Sequence, residues 1–401
     1  MSFRMVNTKH DTTSFENCSY QREIFDGNAL HDGFLRGKQG SDWKPPVQKF
    51  EMTYLLGLSN IQKELKERTY NFKPTSNFIL RERGRVRFVS GEQIEDRIVK
   101  HSLCDEVLTP SLRPHLIYDN CASLKGRGIT RQRNRLLVHL RKYYQQHGSN
   151  EGYILLIDYS KYYDNIRHDV FYELVTKYVQ DPTALWLLRK ILDRAKVDVS
   201  YMDDEEFKEC MHTIFNSLEH SKIDKSLLTG EKFMHKHLNI GDQVAQAAGI
   251  SYPIPIDNYI KIVCSVPFYG RYMDDSYVIN EDKEFLKALL SDITAIAETI
   301  GITINLRKTR ICKLSEYWRF LQIQYSLTET GRVIQKINSK RLTAMRRKMK
   351  KIAKNKFLNP EEFENWYKSW FKAHYKIMSK KQRENLDVLY DTLLKEVNQN
   401  V

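Results

Sequence analysis

The sequence lacks the features of a membrane or secreted protein. No apolar run approaches the ~18 residues that span a bilayer, and the polar N-terminus has no apolar signal core. The 6 cysteines are scattered and form no CxxC pair, which argues against a zinc knuckle or a disulfide framework. These absences predict a protein of a reducing compartment, located in the cytoplasm and without a membrane partner.

Acidic residues are fewer than basic residues. The 401 residues include 64 Lys and Arg against 50 Asp and Glu, a net charge of +14. This excess indicates either solubility alone or a polyanionic partner such as nucleic acid, and composition leaves both readings open. A hydrophobic content of 41% supports a large core spread over two or three packed units.

Short apolar strands and helices follow one another in mixed order, which predicts an α+β fold. Residues 1–49 are polar and weakly periodic and are interpreted as a partly irregular extension. A mixed, polar stretch at about 195–237 has the composition of an insertion. The other predicted elements include a basic hairpin near residues 78–88, strands at 153–157, 263–268, 276–279 and 320–325, and a helix at 285–300 closed by Gly301.

Three carboxylates stand at the ends of predicted strands. Asp158 closes an apolar strand, and Asp274 and Asp275 lie in a tight turn between two others. A carboxylate at a buried strand end is costly unless a cation accompanies it, and Mg²⁺ held by one or two carboxylates is a common arrangement. Two such ions suit phosphoryl displacement. On spacing alone, an acidic turn at the surface is the favoured interpretation.

The order of the motifs resembles that of reverse transcriptases. YMDD at Tyr272–Asp275 is similar to their YxDD motif, and Asp158–Tyr163 is similar to the first palm motif. Further similar segments follow in the family's order: Arg85–Arg87, Glu95–His101 and Ala122–Gly128 in the fingers, and Gly241–Gln246, Asn305–Thr309 and Phe320–Gln322 in the palm. A second YMDD, Tyr201–Asp204, has an acidic right flank and is interpreted as a surface turn or helix start.

The resemblance implies a right-hand polymerase fold and an RNA-directed DNA polymerase. Its domains would be an extension (1–49), fingers (50–152), a palm whose antiparallel sheet carries the carboxylates (153–335) and a helical thumb (336–401). Asp158, Asp274 and the carbonyl of Tyr159 would hold two Mg²⁺ ions, with Mn²⁺ as a substitute, and Asp275 would support the site. An RNA-dependent RNA polymerase and a non-catalytic RNA-binding scaffold are the alternatives.

Five further residues are candidates for binding the incoming dNTP. Tyr163 falls where the family places a bulky aromatic that excludes ribose. Gln246 and Lys308 would contact the nucleotide and its triphosphate, although Lys308 is also typical of a solvated loop. Arg85 and Arg87 would clamp phosphates, since arginine suits bidentate phosphate contacts, but a basic hairpin tip is often merely solvated.

A basic helix is predicted after the palm. Residues 340–356 contain nine Lys or Arg and no acid, while Leu342, Met345, Met349 and Ile352 recur at helical spacing. Asn338 or Ser339 would cap its start. At the thumb position this helix would follow duplex phosphates. Its candidate nucleic-acid contacts are Lys340, Arg341, Arg346, Arg347, Lys350 and Lys351.

The segment Gly241–Gln246 is similar to the GxxxSQ form of diversity-generating retroelement enzymes, although Ala245 replaces the serine. The resemblance therefore implies a bacterial or phage-encoded enzyme of that kind, and a phage-defence reverse transcriptase with a dedicated noncoding RNA is the alternative. Partners would be an RNA template, primer, cDNA and dNTPs, with a small basic accessory protein or a homo-oligomer as further candidates.

Overall fold

The computed structural model describes residues 22–82, 85–354 and 359–399, except for the side chains of Glu82, Arg85 and Gln399. The described chain contains two compact units, one formed by residues up to 125, 159–265 and 290–305, the other by 126–158, 266–289 and from 306 on. Within these residues no helix is both long and apolar enough for a bilayer span. The α-helices are α1 Gly27–Gly37, α2 Pro45–Met52, α3 Tyr54–Lys66, α4 Ile94–Ser102, α5 Thr109–Leu112, α6 Ile129–His147, α7 His168–Thr176, α8 Pro182–Ala195, α9 Asp204–Glu209, α10 Ser217–His220, α11 Gln243–Ser251, α12 Ile254–Asn258, α13 Lys283–Thr299, α14 Ser339–Ala353, α15 Pro360–His374 and α16 Lys380–Gln399.

The strands form four antiparallel sheets within the described residues. The strands are β1 Ser76–Glu82, β2 Arg85–Gly91, β3 Tyr153–Ile157, β4 Val197–Asp198, β5 Phe233–Met234, β6 Tyr269–Tyr272, β7 Asp275–Asn280, β8 Arg310–Lys313, β9 Trp318–Phe320, β10 Ile323–Leu327 and β11 Val333–Ile337. Two sheets have two strands each: β1–β2 is a hairpin, whereas β4 and β5 pair across a long connection that contains helices. A third sheet has the order β11-β10-β9, and the largest has the order β6-β7-β3-β8.

The N-terminal segment is more ordered than its composition suggests. Helix α1 starts at Asp26, whose carboxylate accepts hydrogen bonds from the backbone of Asn28 and Ala29. Its apolar face, including Leu30 and Phe34, is buried, and the helix packs on α4. A Cβ at Gly33 would lie 2.8 Å from the carbonyl oxygen of Ile98, so glycine allows this close approach. Within the predicted extension, residues 27–37 and 45–49 are helical, whereas residues 1–21 lie outside the described part of the chain.

The four-stranded sheet lies in the second unit and has β3 at its centre. Residues 154–157 of β3 are buried, as expected for a strand paired on both edges. The three-stranded sheet and the helices α6, α14, α15 and α16 share one apolar core with it. Aromatic side chains of α15 belong to this core: Phe363 and Tyr367 are buried, and Trp366, Trp370 and Phe371 pack against it.

Two strand predictions are wrong in detail. The apolar run at 263–268 is not a strand: a π-helix covers Tyr259–Val263, and β6 begins only at Tyr269. The run at 320–325 is split between β9 and β10, because Leu321 and Gln322 have left-handed backbone with φ of 43° and 73°. The helix closed by Gly301 is confirmed, with φ of 75° at that glycine.

Candidate active site

The three predicted carboxylates lie at one end of the large sheet. The β3–β7 ladder ends at the pair Ile157↔Ser276, so Asp158 follows the last paired residue of β3 and Asp275 precedes its partner on β7. Tyr272 pairs with Asp275, which leaves Met273 and Asp274 as a two-residue hairpin turn. All three carboxylates are half-buried. Adjacent strands therefore bring Asp158 and the Asp274–Asp275 pair to the same sheet end, within the second unit.

Backbone strain and a buried cation shape the YMDD turn. Met273 has φ of 55°, a left-handed conformation that costs a non-glycine residue about 1–3 kcal/mol. Arg271 is fully buried and donates from Nη1 to the Met273 carbonyl at 3.2 Å. Sequence reasoning missed Arg271, although a charged residue inside an apolar strand next to the motif was an available signal. This hydrogen bond connects the buried guanidinium of Arg271 to the backbone of the turn.

Lys308 contacts Asp158 directly. Its Nζ lies 3.0 Å and 3.2 Å from the two carboxylate oxygens, and the side chain is 59% exposed. The neighbouring Thr309 hydroxyl accepts a hydrogen bond from the Asp158 backbone N–H at 3.3 Å. Thr309 thus holds the backbone of Asp158, and Lys308 holds its carboxylate. The Lys308 ammonium contacts the same carboxylate oxygens that a metal ion would use.

The donor set at this sheet end suits a hard cation. Carboxylate oxygens are the ligands that Mg²⁺ prefers, and half-buried acidic groups gain from a neutralising ion. Asp158 already binds a positive charge, that of Lys308. In the described part of the chain, however, no three His, Cys, Asp or Glu side chains are close enough together to form a preassembled metal cage. The residues fit a metal whose coordination is completed by other oxygen ligands.

The predicted sugar-gate residue lies in the first unit. Tyr163 is half-buried within a single turn of 3₁₀ helix, Tyr162–Asn165. Its ring centroid lies 5.4 Å from that of Tyr162, whose hydroxyl donates to the Gly249 carbonyl at 3.0 Å. Tyr159 is buried and forms an antiparallel bridge with Ile304.

Gln246 is anchored within the same unit by a loop that the sequence assigned to the fingers. It lies on α11, and its Oε1 accepts a hydrogen bond from the Ser123 hydroxyl at 3.0 Å. The helix begins at Asp242, whose carboxylate accepts from the Val244 backbone at 2.9 Å. Asp242 also binds Lys100.

Arg87 lies on β2 opposite Leu80 and is half-buried. The side chain of Arg85 and the hairpin tip at 83–84 lie outside the described residues.

The basic helix has the predicted two faces. The side chains of Leu342, Met345 and Met349 are buried, and Asn338 caps the helix through the Lys340 backbone N–H at 2.8 Å. Arg341 donates a hydrogen bond to the amide oxygen of Gln322. The remaining candidates are exposed or half-buried: Lys340, Arg346, Arg347, Lys350 and Lys351.

The second YMDD copy lies at the start of α9 and makes structural contacts. Asp203 is the N-cap of α9 and accepts from the backbone of Glu205 and Glu206 in a capping box. Asp204 forms an ion pair with Lys232 at 2.5 Å. The expectation of a helix start at this copy is confirmed.

Comparison with protein families gives one matching model, described as reverse transcriptase (RNA-dependent DNA polymerase), over residues 73–325. Comparison with curated proteins gives no significant match. The matched range contains both YMDD copies and all of the candidate site residues before the basic helix.

Proposed function

The chain belongs to the reverse transcriptase family, and on this premise we propose that it copies RNA into DNA at a centre formed by Asp158, Asp274 and Asp275. The observation that carries the proposal is their convergence at one end of adjacent strands β3, β6 and β7. A sheet end of this kind presents acidic groups to a substrate while the strands behind it hold them rigidly.

Asp158 and Asp274 would hold divalent metal, Mg²⁺ with Mn²⁺ as a substitute. Asp275 and the carbonyl of Tyr159, the next residue after Asp158, would complete the protein's contribution. When bound, two such ions stabilise the attacking 3′ oxygen and the leaving pyrophosphate oxygen. Lys308 would leave Asp158 as metal binds, and its ammonium would then be available to the triphosphate.

Nucleotide selection would depend on residues of the first unit. The ring of Tyr163 would crowd a 2′ hydroxyl and so favour dNTPs over rNTPs. Gln246, held by Ser123, would present its amide to the incoming nucleotide. Arg87 and Arg85 would bind the β- and γ-phosphates, since a guanidinium forms two parallel hydrogen bonds to phosphate.

The palm, fingers and thumb assignments follow the same proposal. The large sheet would form the palm, the β1–β2 hairpin and surrounding helices the fingers, and α14–α16 the thumb. The exposed cations of α14 would follow the phosphates of the template–primer duplex without reading its sequence.

The proposed biological role is diversity generation, carried by the GxxxSQ-like segment Gly241–Gln246. Phage defence with a dedicated noncoding RNA is the second candidate, favoured by the departure at Ala245 and by the insertion near residues 195–237. In either role the partners would be a specific RNA, its cDNA and dNTPs, with a small basic accessory protein or a second copy of the chain as an additional component.

The two YMDD copies provide a matched test of the catalytic assignment. Asp274→Asn should abolish Mg²⁺-dependent primer extension on an RNA template, because one metal ligand loses its charge. Asp203→Asn changes the corresponding residue of the other copy and should leave extension within about twofold, since asparagine caps helices as well as aspartate. RNA binding, measured by filter retention, should be unchanged in both. Normal extension by Asp274→Asn would refute the assignment.

A further inference from the structure

The insertion is a small packed body. Strands β4 and β5 pair, and Val199, Cys210, Phe215 and Met234 form a buried apolar cluster. A segment with its own core has a defined shape. It can therefore hold a neighbouring turn in place, which a loose loop cannot do.

The turn beside this insertion carries Tyr163. It follows Lys161, whose φ is 46°, and consists of one 3₁₀ turn. Because 3₁₀ hydrogen bonds have poor geometry, a single turn depends on outside contacts for its shape. One such contact is direct: the backbone N–H of Leu238, the residue that follows the insertion, donates to the Tyr163 carbonyl at 2.9 Å.

Asn165 joins the turn to the middle of the insertion. Its Oδ1 accepts from the Phe215 N–H at 2.9 Å, and its Nδ2 donates to the Phe215 carbonyl at 3.2 Å. The same Nδ2 donates to the Lys161 carbonyl at 2.9 Å, across the turn. Asn165 is only 3% exposed, so these bonds are made without competition from water.

Asp164 supplies two more connections. Its Oδ2 accepts from the Ser217 N–H at 3.2 Å, and its Oδ1 accepts from His237 Nδ1 at 3.1 Å. The backbone N–H of His237 donates to the Ile166 carbonyl at 3.1 Å. Burial alone would raise the pKa of Asp164, but the hydrogen bonds from His237 and Ser217 outweigh it and hold the pKa below its usual range. The carboxylate is therefore ionised, and ionised acceptors make the stronger hydrogen bonds.

We propose that the insertion at about 195–237, together with Leu238, braces the Tyr163 turn, and that Asp164 and Asn165 are positioning residues for the discrimination between dNTPs and rNTPs. The inference rests on the proposed role of Tyr163 as the sugar gate. An aromatic ring excludes a 2′ hydroxyl only if the backbone that carries it keeps its position. The turn is held in position by hydrogen bonds with four residues: Phe215, Ser217, His237 and Leu238. The insertion thus contributes to specificity without touching the nucleotide.

Two variants weaken the brace in different ways. Asn165→Ala removes all three amide hydrogen bonds. Ser217→Pro is milder, because it removes the backbone N–H that donates a hydrogen bond to Asp164. Ser217 is the first residue of α10, a position where proline is tolerated. The preceding Asn216 already has the extended backbone that proline requires, with φ of −136° and ψ of 100°. Asp204→Asn is the matched control, because it lies in the same insertion and weakens only the ion pair between the exposed Asp204 and Lys232.

The measurement is the ratio of kcat/KM for dATP to kcat/KM for ATP on an RNA template with a DNA primer and Mg²⁺. Asn165→Ala and Ser217→Pro should lower this ratio about three- to tenfold, because small misplacements of a positioning group have effects of this size or larger. Activity with dATP should change less than the ratio does. Asp204→Asn should leave the ratio unchanged.

The double variant Tyr163→Ala/Asn165→Ala separates positioning from a general structural role. If Asn165 acts through Tyr163, the second substitution should not lower the ratio further. An unchanged ratio in Ser217→Pro, or additive losses in the double variant, would overturn the brace while leaving the gate intact. An unchanged ratio in Tyr163→Ala alone would instead remove the gate itself, and the brace with it.

Discussion

In the proposed mechanism, Lys308 has different partners before and after metal binds. Its ammonium neutralises Asp158 at 3.0 Å, yet more than half of the side chain is exposed, so the pair contributes only about 0–1 kcal/mol. A weak pair of this kind preserves the carboxylate geometry without competing strongly with a metal. We therefore interpret the contact as a resting arrangement of the site.

Replacing Lys308 should separate metal binding from turnover. Lys308→Gln should tighten Mg²⁺ binding to the nucleotide-free enzyme by about two- to fivefold, because the competing ammonium is gone. Turnover at saturating Mg²⁺ should fall, because the leaving pyrophosphate loses a cation. Calorimetric Mg²⁺ titration and single-turnover extension measure the two effects. Arg307→Gln, its exposed neighbour, is the control, and weaker Mg²⁺ binding by Lys308→Gln would contradict the interpretation.

At the scale of elements, a buried ionic triad joins the β1–β2 hairpin to α11. Lys100 on α4 bonds both Glu92, which follows β2, and Asp242, the N-cap of α11. Burial, together with the negative charge of Asp242, raises the pKa of Glu92 to about 7. Burial alone would lower the pKa of Lys100, but Asp242 and Glu92 outweigh it and raise that pKa. Two carboxylates thus share one cation away from water.

The triad predicts a defined dependence of stability on pH. Between about pH 4.5 and pH 7 the folded protein keeps a proton on Glu92 that the unfolded chain has lost. The contribution of Glu92 to the free energy of unfolding therefore falls as pH rises through this window. Glu92→Gln has no such proton, so its Tm relative to the wild type should rise by roughly 2 °C or more between pH 5 and pH 8.

Thermal unfolding followed by fluorescence at several pH values measures this difference. Glu298→Gln, on the exposed face of α13, should show no trend with pH. A constant difference between Glu92→Gln and the wild type would show that Glu92 does not titrate in the folded protein in this range.

Helix α14 predicts the salt dependence of nucleic-acid binding. Arg347, Lys350 and Lys351 are exposed on the face opposite the buried Leu342 and Met345. If each contacts a phosphate, each alanine substitution should reduce the slope of log affinity against log salt by about 0.7–0.9. Fluorescence anisotropy with an RNA–DNA duplex at several salt concentrations measures the slope. Lys395→Ala, on the exposed side of α16, should leave it unchanged, and unchanged slopes in the α14 variants would exclude phosphate contact.

For the whole molecule, local signals predicted elements well and long-range relations poorly. The apolar run of β3, the glycine that closes α13 and the two-faced pattern of α14 were readable because neighbours along the chain determine them. Two features needed tertiary contacts: the position of β3 between β7 and β8, and the Lys308–Asp158 pair. The carboxylate positions were predictable because strand ends and turns are marked in the sequence.

The biological role belongs to the scale of the whole molecule and its nucleic acids. We expect the affinity-purified protein to carry one predominant RNA and cDNA complementary to it. A template repeat that matches a variable repeat in the neighbouring genome would support diversity generation. A structured noncoding RNA without such a repeat would favour phage defence, and nucleic acid of random sequence would contradict both. Sequencing of the copurified RNA and cDNA distinguishes these outcomes.

The identical tetrapeptides Tyr201–Asp204 and Tyr272–Asp275 adopt a helix start and a hairpin turn in one chain. Their flanks decide the difference, since acidic residues follow one copy and a buried strand follows the other. Selection can therefore act on the two copies independently. At the first, substitutions that preserve a cap should be neutral. If the second carries the proposed catalytic carboxylates, even a replacement that preserves the turn but removes a charge should abolish activity. The two identical tetrapeptides are therefore expected to change at unequal rates in evolution.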